Sequence, residues 1–182
     1  MEFNVAQLLK EPVGGVRKYE IADNLDDLDP ELVIQAPITG KVKFTKILGG
    51  ILVTGRLQTV VEVPCSRCLE PFDLPLRIEL EEEFRATTDL VTGASLPVDE
   101  AQDEATLINE KNIVDLSEVV RQALFLALPT TPVCRKGACK GLCDQCGKNL
   151  NEGPCDCVED EVDPRWEALR SLLPPETNSE ST

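Results

Sequence analysis

The chain has 182 residues, enough for one domain with a small appendage, and 42% of them are apolar, enough to bury a core. A net charge of −15 excludes a uniformly basic surface. No stretch reaches the ~18 consecutive apolar residues of a membrane helix. The opening residues Met1-Glu2-Phe3-Asn4-Val5 show no basic-then-apolar leader, so the expected compartment is the cytoplasm, without a membrane partner.

In chain order, residues 1–12 are mildly apolar and end at the break Pro12-Val13-Gly14-Gly15. Residues 16–22 read as a strand and 23–30 as an acidic, turn-rich loop. Three alternating runs follow. In the first, Ile38, Gly40, Val42 and Phe44 share one face and Lys41 and Lys43 the other. Gly49-Gly50 turns the chain. Val53, Gly55, Leu57, Thr59, Val61 and Val63 then oppose Arg56, Gln58 and Glu62. After Cys65-Ser66-Arg67-Cys68, the residues Phe72, Leu74, Leu76, Ile78, Leu80 and Phe84 alternate with Asp73, Pro75, Arg77, Glu79, Glu81 and Glu83. A period of two over three successive runs predicts an antiparallel meander with one buried face. Pro75, on the outward face, predicts an edge strand or a bulge.

Residues 86–106 read as an acidic loop, and 106–108 as a short strand. A helix is expected from Asp115, with Glu118 completing a capping box. Its apolar stripe is Leu116, Val119, Val120, Ala123, Leu124 and Ala127, and Pro129 follows its end. A last helix is expected from Asp163, with Pro164 in its first turn and Trp166, Leu169, Leu172 and Leu173 as its stripe. The fold class predicted is α+β: an antiparallel β-meander or partly closed sheet packed by one main helix. A Cys-rich, metal-stabilised C-terminal segment and a short terminal helix complete it. The expected divisions are a core at 1–133, the Cys-rich segment at 134–160, and a terminal helix with a disordered tail at 161–182.

The chain has eight cysteines and no histidine. Cys143-Asp144-Gln145-Cys146-Gly147-Lys148 has the form of a zinc knuckle, in which two sulfurs three residues apart turn onto one ion. Gly147 permits a positive φ just after that turn. Cys65 and Cys68 repeat the spacing at a predicted hairpin tip, and Cys155 and Cys157 point the same way in an extended segment. Thiolates without imidazoles suit closed tetrahedral sites, and eight ligands close two of them. Two zinc ions are therefore expected on Cys65, Cys68, Cys134, Cys139, Cys143, Cys146, Cys155 and Cys157. Short loops favour grouping Cys143, Cys146, Cys155 and Cys157, leaving Cys65, Cys68, Cys134 and Cys139 to tie the tail to the hairpin. The rival grouping joins Cys65 and Cys68 to Cys143 and Cys146, and spacing alone leaves both open. Disulfides fit poorly without a secretory leader, and the spacing matches neither ferredoxin pattern.

Bases outnumber acids only in residues 41–78 and 134–157, the two regions that hold the cysteines. Arg67, Arg135, Lys136, Lys140 and Lys148 can offset the negative charge of Cys₄ sites, or meet phosphate. No nucleotide-binding loop, histidine base or carboxylate dyad stands out, so the chain is read as no enzyme and without a small-molecule substrate.

Several segments follow one another along the chain and carry a resemblance. They are Val63-Pro64-Cys65-Ser66-Arg67-Cys68-Leu69, then Val114-Asp115-Leu116-Ser117-Glu118 leading to Ala127-Leu128-Pro129. Next come Cys139-Lys140-Gly141-Leu142-Cys143-Asp144-Gln145-Cys146-Gly147-Lys148-Asn149-Leu150-Asn151, Cys155-Asp156-Cys157, and Val162-Asp163-Pro164-Arg165-Trp166-Glu167-Ala168-Leu169. In this combination the chain resembles the YceD family, the large ribosomal RNA subunit accumulation proteins. The resemblance implies a non-enzymatic ribosome biogenesis factor that supports 23S rRNA accumulation or processing and large-subunit assembly. It would bind the 23S rRNA precursor or large-subunit ribosomal proteins. Some members of that family lack most of the downstream cysteines, so the resemblance gives metal a stabilising role and not the shared activity. The candidate RNA contacts are Lys41, Lys43, Arg56, Arg67, Arg77, Lys140 and Lys148, and the acidic segments are candidate docking surfaces for a basic ribosomal protein. The alternative is a zinc-ribbon adaptor for protein interactions in transcription or protein quality control.

Overall fold

The structure, a computed structural model, describes residues 1–24, 29–30, 32–89, 94–96, 103–134, 138–157, 165–166 and 169. The helix expected from Asp163 falls almost wholly outside the described residues, as do Arg135 and Lys136.

The three alternating runs form the meander. Strand β4 (Ile38–Ile47) pairs antiparallel with β5 (Gly50–Pro64), which pairs with β6 (Pro71–Ala86) from Gly50↔Arg85 to Pro64↔Pro71. At ~3.4 Å per residue the 15-residue β5 runs about 50 Å. It thereby carries the Cys65–Cys68 turn to the far end of the molecule. Strand β2 (Val16–Asp23) pairs with β4, and the short β3 (Val33–Ile34) pairs with β5 beyond the end of β4. On the other side β7 (Leu107–Ile108) joins β6 in parallel at Arg85 and Ala86. The sheet is open, with β2 and β7 at its ends, and not partly closed as expected; among the described residues no pairing joins those ends. From Pro71 to Glu83, β6 pairs only with β5 among the described residues, so Pro75 does lie on a free edge. Glu79, Glu81, Glu82 and Glu83 charge that edge, which discourages pairing with another chain.

The inner face of the sheet buries Ile38, Val42, Phe44, Ile51, Val53, Leu57, Val61, Leu76, Ile78, Leu80 and Phe84. Gly40 is required here. Its φ is +157°, and a Cβ on it would lie 2.1 Å from the Arg56 carbonyl oxygen across the ladder. A two-stranded sheet closes over this face: β1 (Glu2–Asn4) pairs antiparallel with β8 (Ile113–Asp115), and Phe3 faces Val114. Phe3, Tyr19 and Phe44 pack ring against ring, with centroids 5.1–5.2 Å apart. Helix α1 (Ala6–Leu9) adds Leu8 and Leu9.

Helix α2 (Ser117–Ala127) follows β8 and packs on β6 with Leu116, Val119, Val120 and Leu124 buried. Its stripe is as predicted, but its start is not. Asp115 Oδ1 accepts from the Ser117 backbone N–H at 2.9 Å, so it caps the first turn from within β8. Glu118 does not turn back to complete a capping box. It binds Arg121 at 2.7 and 2.8 Å and Gln122 at 2.9 Å, because Arg121 is also held by Asp29 at 3.0 Å and offers the stronger, charged partner.

Candidate metal centres and basic face

The turn between β5 and β6 is a knuckle. The Cys65 N–H donates to the Glu70 carbonyl at 2.9 Å, and the Leu69 N–H donates to the Cys65 carbonyl at 2.9 Å. The second C-x-x-C turn repeats this pattern: Cys143 N–H to Lys148 O at 2.8 Å, and Gly147 N–H to Cys143 O at 2.9 Å. In both, the residue after the second cysteine is left-handed, Gly147 at φ 72° and Leu69 at φ 61°. Two separate segments thus adopt one hydrogen-bonded turn that aims its paired sulfurs inward. At the first, the Arg67 N–H also donates to Cys65 Sγ at 3.4 Å.

Each knuckle meets two further sulfurs. Cys65, Cys68, Cys134 and Cys139 form one cluster, and Cys143, Cys146, Cys155 and Cys157 form the other; within each, every sulfur lies within 4.8 Å of the rest. These are the groups that the short-loop argument favours, and the exchanged grouping is absent. A zinc–sulfur bond of ~2.3 Å gives a tetrahedron whose edge is about 3.8 Å. The Cys65–Cys139 and Cys68–Cys134 separations are 3.9 and 3.7 Å, and Cys143–Cys155 is 3.4 Å. All eight thiols are free. Four soft donors at this spacing fit a closed zinc site, with no position left open for a substrate.

The thiols in each cluster are unequal. The Cys65 thiol is lowered to about 6, first by the Cys134 backbone N–H, with burial opposing and the Cys68 and Arg67 N–H groups assisting. Cys134 is pushed up to about 12, first by burial and then by the neighbouring sulfurs. In the second cluster Cys143 is lowered to about 7 by the N–H groups of Cys146 and Gln145. Cys157 is pushed up to about 12, first by its hydrogen bond with Cys146 and then by burial. Each cluster therefore combines a ready thiolate with a thiol that keeps its proton until a cation displaces it.

Backbone bonds tie the cysteine segment to the first knuckle. Ser66 N–H donates to Pro132 O at 2.8 Å, and Leu142 N–H to Arg67 O at 3.1 Å. Sequence reasoning missed the role of Asn151. It lies between the ligands of the second cluster, yet its Nδ2 donates to Cys139 Sγ of the first at 3.5 Å, and its Oδ1 accepts the Lys140 N–H at 2.9 Å. That contact lowers the Cys139 thiol.

The predicted bases separate into two groups. Lys41, Lys43, Arg56 and Arg77 line one groove of ≈ 950 Å³ on the outer face of β4–β6, together with Thr39, Thr54, Gln58, Glu79 and Glu81. Arg67, Lys140 and Lys148 belong to the cysteine region: the Arg67 carbonyl accepts from Leu142, and Lys148 Nζ donates to Pro154 O at 2.8 Å. Lys41 pairs with Glu20 at 3.0 Å and Arg56 with Glu79 at 2.9 Å. All four of these side chains are more than three-quarters exposed, so the pairs add little stability. Sequence reasoning also missed Lys18, which the ladder sets directly opposite Lys43.

The family model described as "Large ribosomal RNA subunit accumulation protein YceD" matches residues 53–173. The chain belongs to the YceD family. The match begins in β5 and takes in both knuckles and all eight cysteines. Among relatives, an uncharacterized protein of Mycobacterium tuberculosis is 36% identical over 138 residues, which cover 76% of this chain and 63% of that protein. "Large ribosomal RNA subunit accumulation protein YCED homolog 1, chloroplastic" of Arabidopsis thaliana is 30% identical over 156 residues, 75% of this chain and 48% of its own length. Bacillus subtilis YlbN is 28% identical over 111 residues, 61% of this chain and 59% of that one. The chain thus spans less than two thirds of the length of these three relatives. No solved structure matches it. The family's description names accumulation of the large ribosomal RNA subunit. Among the described residues, no helix is long and apolar enough to cross a membrane.

Proposed function

We propose that this YceD-family chain is a non-enzymatic factor that supports 23S rRNA accumulation and large-subunit assembly by holding precursor RNA on the outer face of its sheet. The observation that carries this reading is the union of family membership with the groove lined by Lys41, Lys43, Arg56 and Arg77. In a chain of net charge −15 these exposed bases line one groove. A basic patch on an acidic molecule attracts phosphate locally while the rest of the surface repels it, so binding is confined to one face. The two cysteine clusters hold one zinc ion each: Cys65, Cys68, Cys134 and Cys139 for the first, Cys143, Cys146, Cys155 and Cys157 for the second. Zinc here folds a segment rich in Gly, Lys and Cys that buries few apolar side chains of its own. Arg67, Lys140 and Lys148 then offset the thiolate charge, with RNA contact secondary.

The test is ultraviolet crosslinking of the tagged protein in cells, followed by sequencing of the attached RNA. The expected result is enrichment of precursor 23S rRNA. Crosslinks spread over unrelated transcripts, with none in that precursor, refute the reading. A ribosomal protein captured in place of RNA would move the activity to the acidic strand β6.

A further inference from the structure

The outer face of the sheet is organised in rows that the ladder fixes. One row runs Glu20, Lys41, Arg56, Glu79 across β2, β4, β5 and β6. The next runs Lys18, Lys43, Thr54, Glu81, and a third runs Ala22, Thr39, Gln58, Arg77. Adjacent strands are about 5 Å apart, and residues two apart on a strand about 7 Å. Lys18, Lys41, Lys43 and Arg56 therefore form one contiguous block, while β6 presents Glu79 and Glu81 beside it.

Two features of this block call for a ligand. Lys18 faces Lys43 and Lys41 faces Arg56 as direct cross-strand neighbours. Like charges so placed weaken a sheet. The second pair is relieved by Glu20 and Glu79, whereas among the described residues Lys18 and Lys43 form no ion pair. A bound polyanion removes that repulsion. The other feature is the chemistry between the bases. Thr39, Thr54 and Gln58 offer groups that both donate and accept, and the face carries no aromatic side chain. Phe3, Tyr19, Phe44 and Phe84 are turned inward, three of them packed on one another in tilted and edge-on pairs.

Proteins that hold unpaired RNA stack its bases on aromatic rings, and this face has none to offer. A double helix asks for something else: cations for the phosphates, and small hydroxyl or amide groups for the 2′-hydroxyls of its wide, shallow minor groove. We propose that the β2–β4–β5 face binds the A-form double helix of RNA by its backbone and 2′-hydroxyls, without reading sequence. The inference rests on the RNA-holding reading above and narrows its substrate to paired segments. Glu79 and Glu81 repel phosphate, and so place the backbone over β2, β4 and β5 and away from β6.

The test is fluorescence anisotropy with the zinc-loaded full chain and four probes of about 20 nucleotides: an RNA duplex, each of its single strands, and the DNA duplex of the same sequence. The duplex RNA is expected to bind at least about tenfold tighter than the other three. Lys18→Ala with Lys43→Ala is expected to weaken it about tenfold and lower the salt slope by about two. Lys10→Ala with Lys111→Ala, at exposed lysines outside these strands, is expected to leave it unchanged. Circular dichroism melts of both double variants establish that they fold. Single strands bound as tightly as the duplex, or a Lys18/Lys43 variant that folds and binds like the parent, overturn the proposal. Crosslinks to precursor 23S rRNA confined to unpaired segments would overturn it too, while leaving the proposed function standing. No binding to any RNA, with capture of a ribosomal protein, would overturn both.

Discussion

The two cysteine clusters use the same turn and the same ligands, yet they sit in different surroundings. In the first, Cys65, Cys68 and Cys139 are buried, and the knuckle is welded to a 15-residue strand. In the second, Cys146 and Cys157 are exposed, and the knuckle hangs on the segment that the first cluster fastens. The difference teaches that one four-thiol arrangement stands in two structural roles. The first cluster is a clamp between the sheet and the chain that returns to it. The second is a local staple for residues 143–157, a stretch without a buried apolar side chain among its described residues apart from Cys143.

The largest expected effect is on stability. A structural zinc contributes on the order of 10 kcal/mol of binding energy to a folded segment. Cys139→Ser should lower zinc content from about two ions per chain to about one or fewer and reduce the melting temperature by more than about 10 °C. Cys157→Ser should also remove about one ion, but with a shift of only a few degrees, because the core and the first clamp remain. Elemental analysis and differential scanning calorimetry measure both. Equal melting shifts for the two variants would end the distinction between clamp and staple.

Next in size is the pH dependence. The thiols of Cys134 and Cys157 are raised to about 12, so each is protonated at pH 7 and gives up its proton when a metal binds. Protons compete with zinc at these sites, so affinity falls as pH drops below neutrality. Adding zinc to the metal-free chain at pH 7 in weak buffer should release at least one proton per ion at each cluster. A pH indicator dye reads this, and binding without acidification would contradict the thiol assignments.

A smaller effect tests whether the clusters act separately. Asn151 is held in the loop of the second and donates to Cys139 of the first. Partners that hydrogen-bond to metal ligands typically contribute 10–100-fold in affinity. Asn151→Ala should therefore loosen zinc in the first cluster by about tenfold, although the residue lies between Cys146 and Cys155 in sequence. Competition with a chromophoric chelator, run on Asn151→Ala beside the parent with both clusters intact, reads the first ion as the tighter of the two. Unchanged affinity would mean that the clusters are independent.

Much of this was legible in the sequence, for stated physical reasons. Strands β4 to β6 announce themselves because one face is buried, so every second residue is apolar. The cysteines announce themselves by type and spacing, and the short loop from Cys146 to Cys155 favours the grouping found. The pairing of Phe3 with Val114 was not legible, because strands of three residues carry no periodicity and their partners lie over a hundred residues away. Lys18 was invisible as part of a basic block until the ladder set it opposite Lys43. Glu118 obeyed the local capping signal only until Arg121, fixed by Asp29, competed for it.

The smallest expected effect concerns the turn that the clusters share. Both knuckles need a left-handed residue after their second cysteine, and only the second uses glycine. A side chain in that region costs ~1–2 kcal/mol, and Leu69 is 65% exposed, so burial returns little of it. Leu69→Gly relieves the strain but gives the unfolded chain more freedom, which takes back part of the gain. The net expectation is stabilisation by up to about 1 kcal/mol, with zinc content unchanged. Gly147→Leu imposes the strain where it is now absent and should destabilise by about 1–2 kcal/mol. Because the staple is the weaker site, that variant should also surrender its exposed zinc to a chelator faster than the parent. If Leu69→Gly instead lowers stability, the Leu69 side chain makes a contribution that outweighs its backbone strain, and the two knuckles differ in more than their burial.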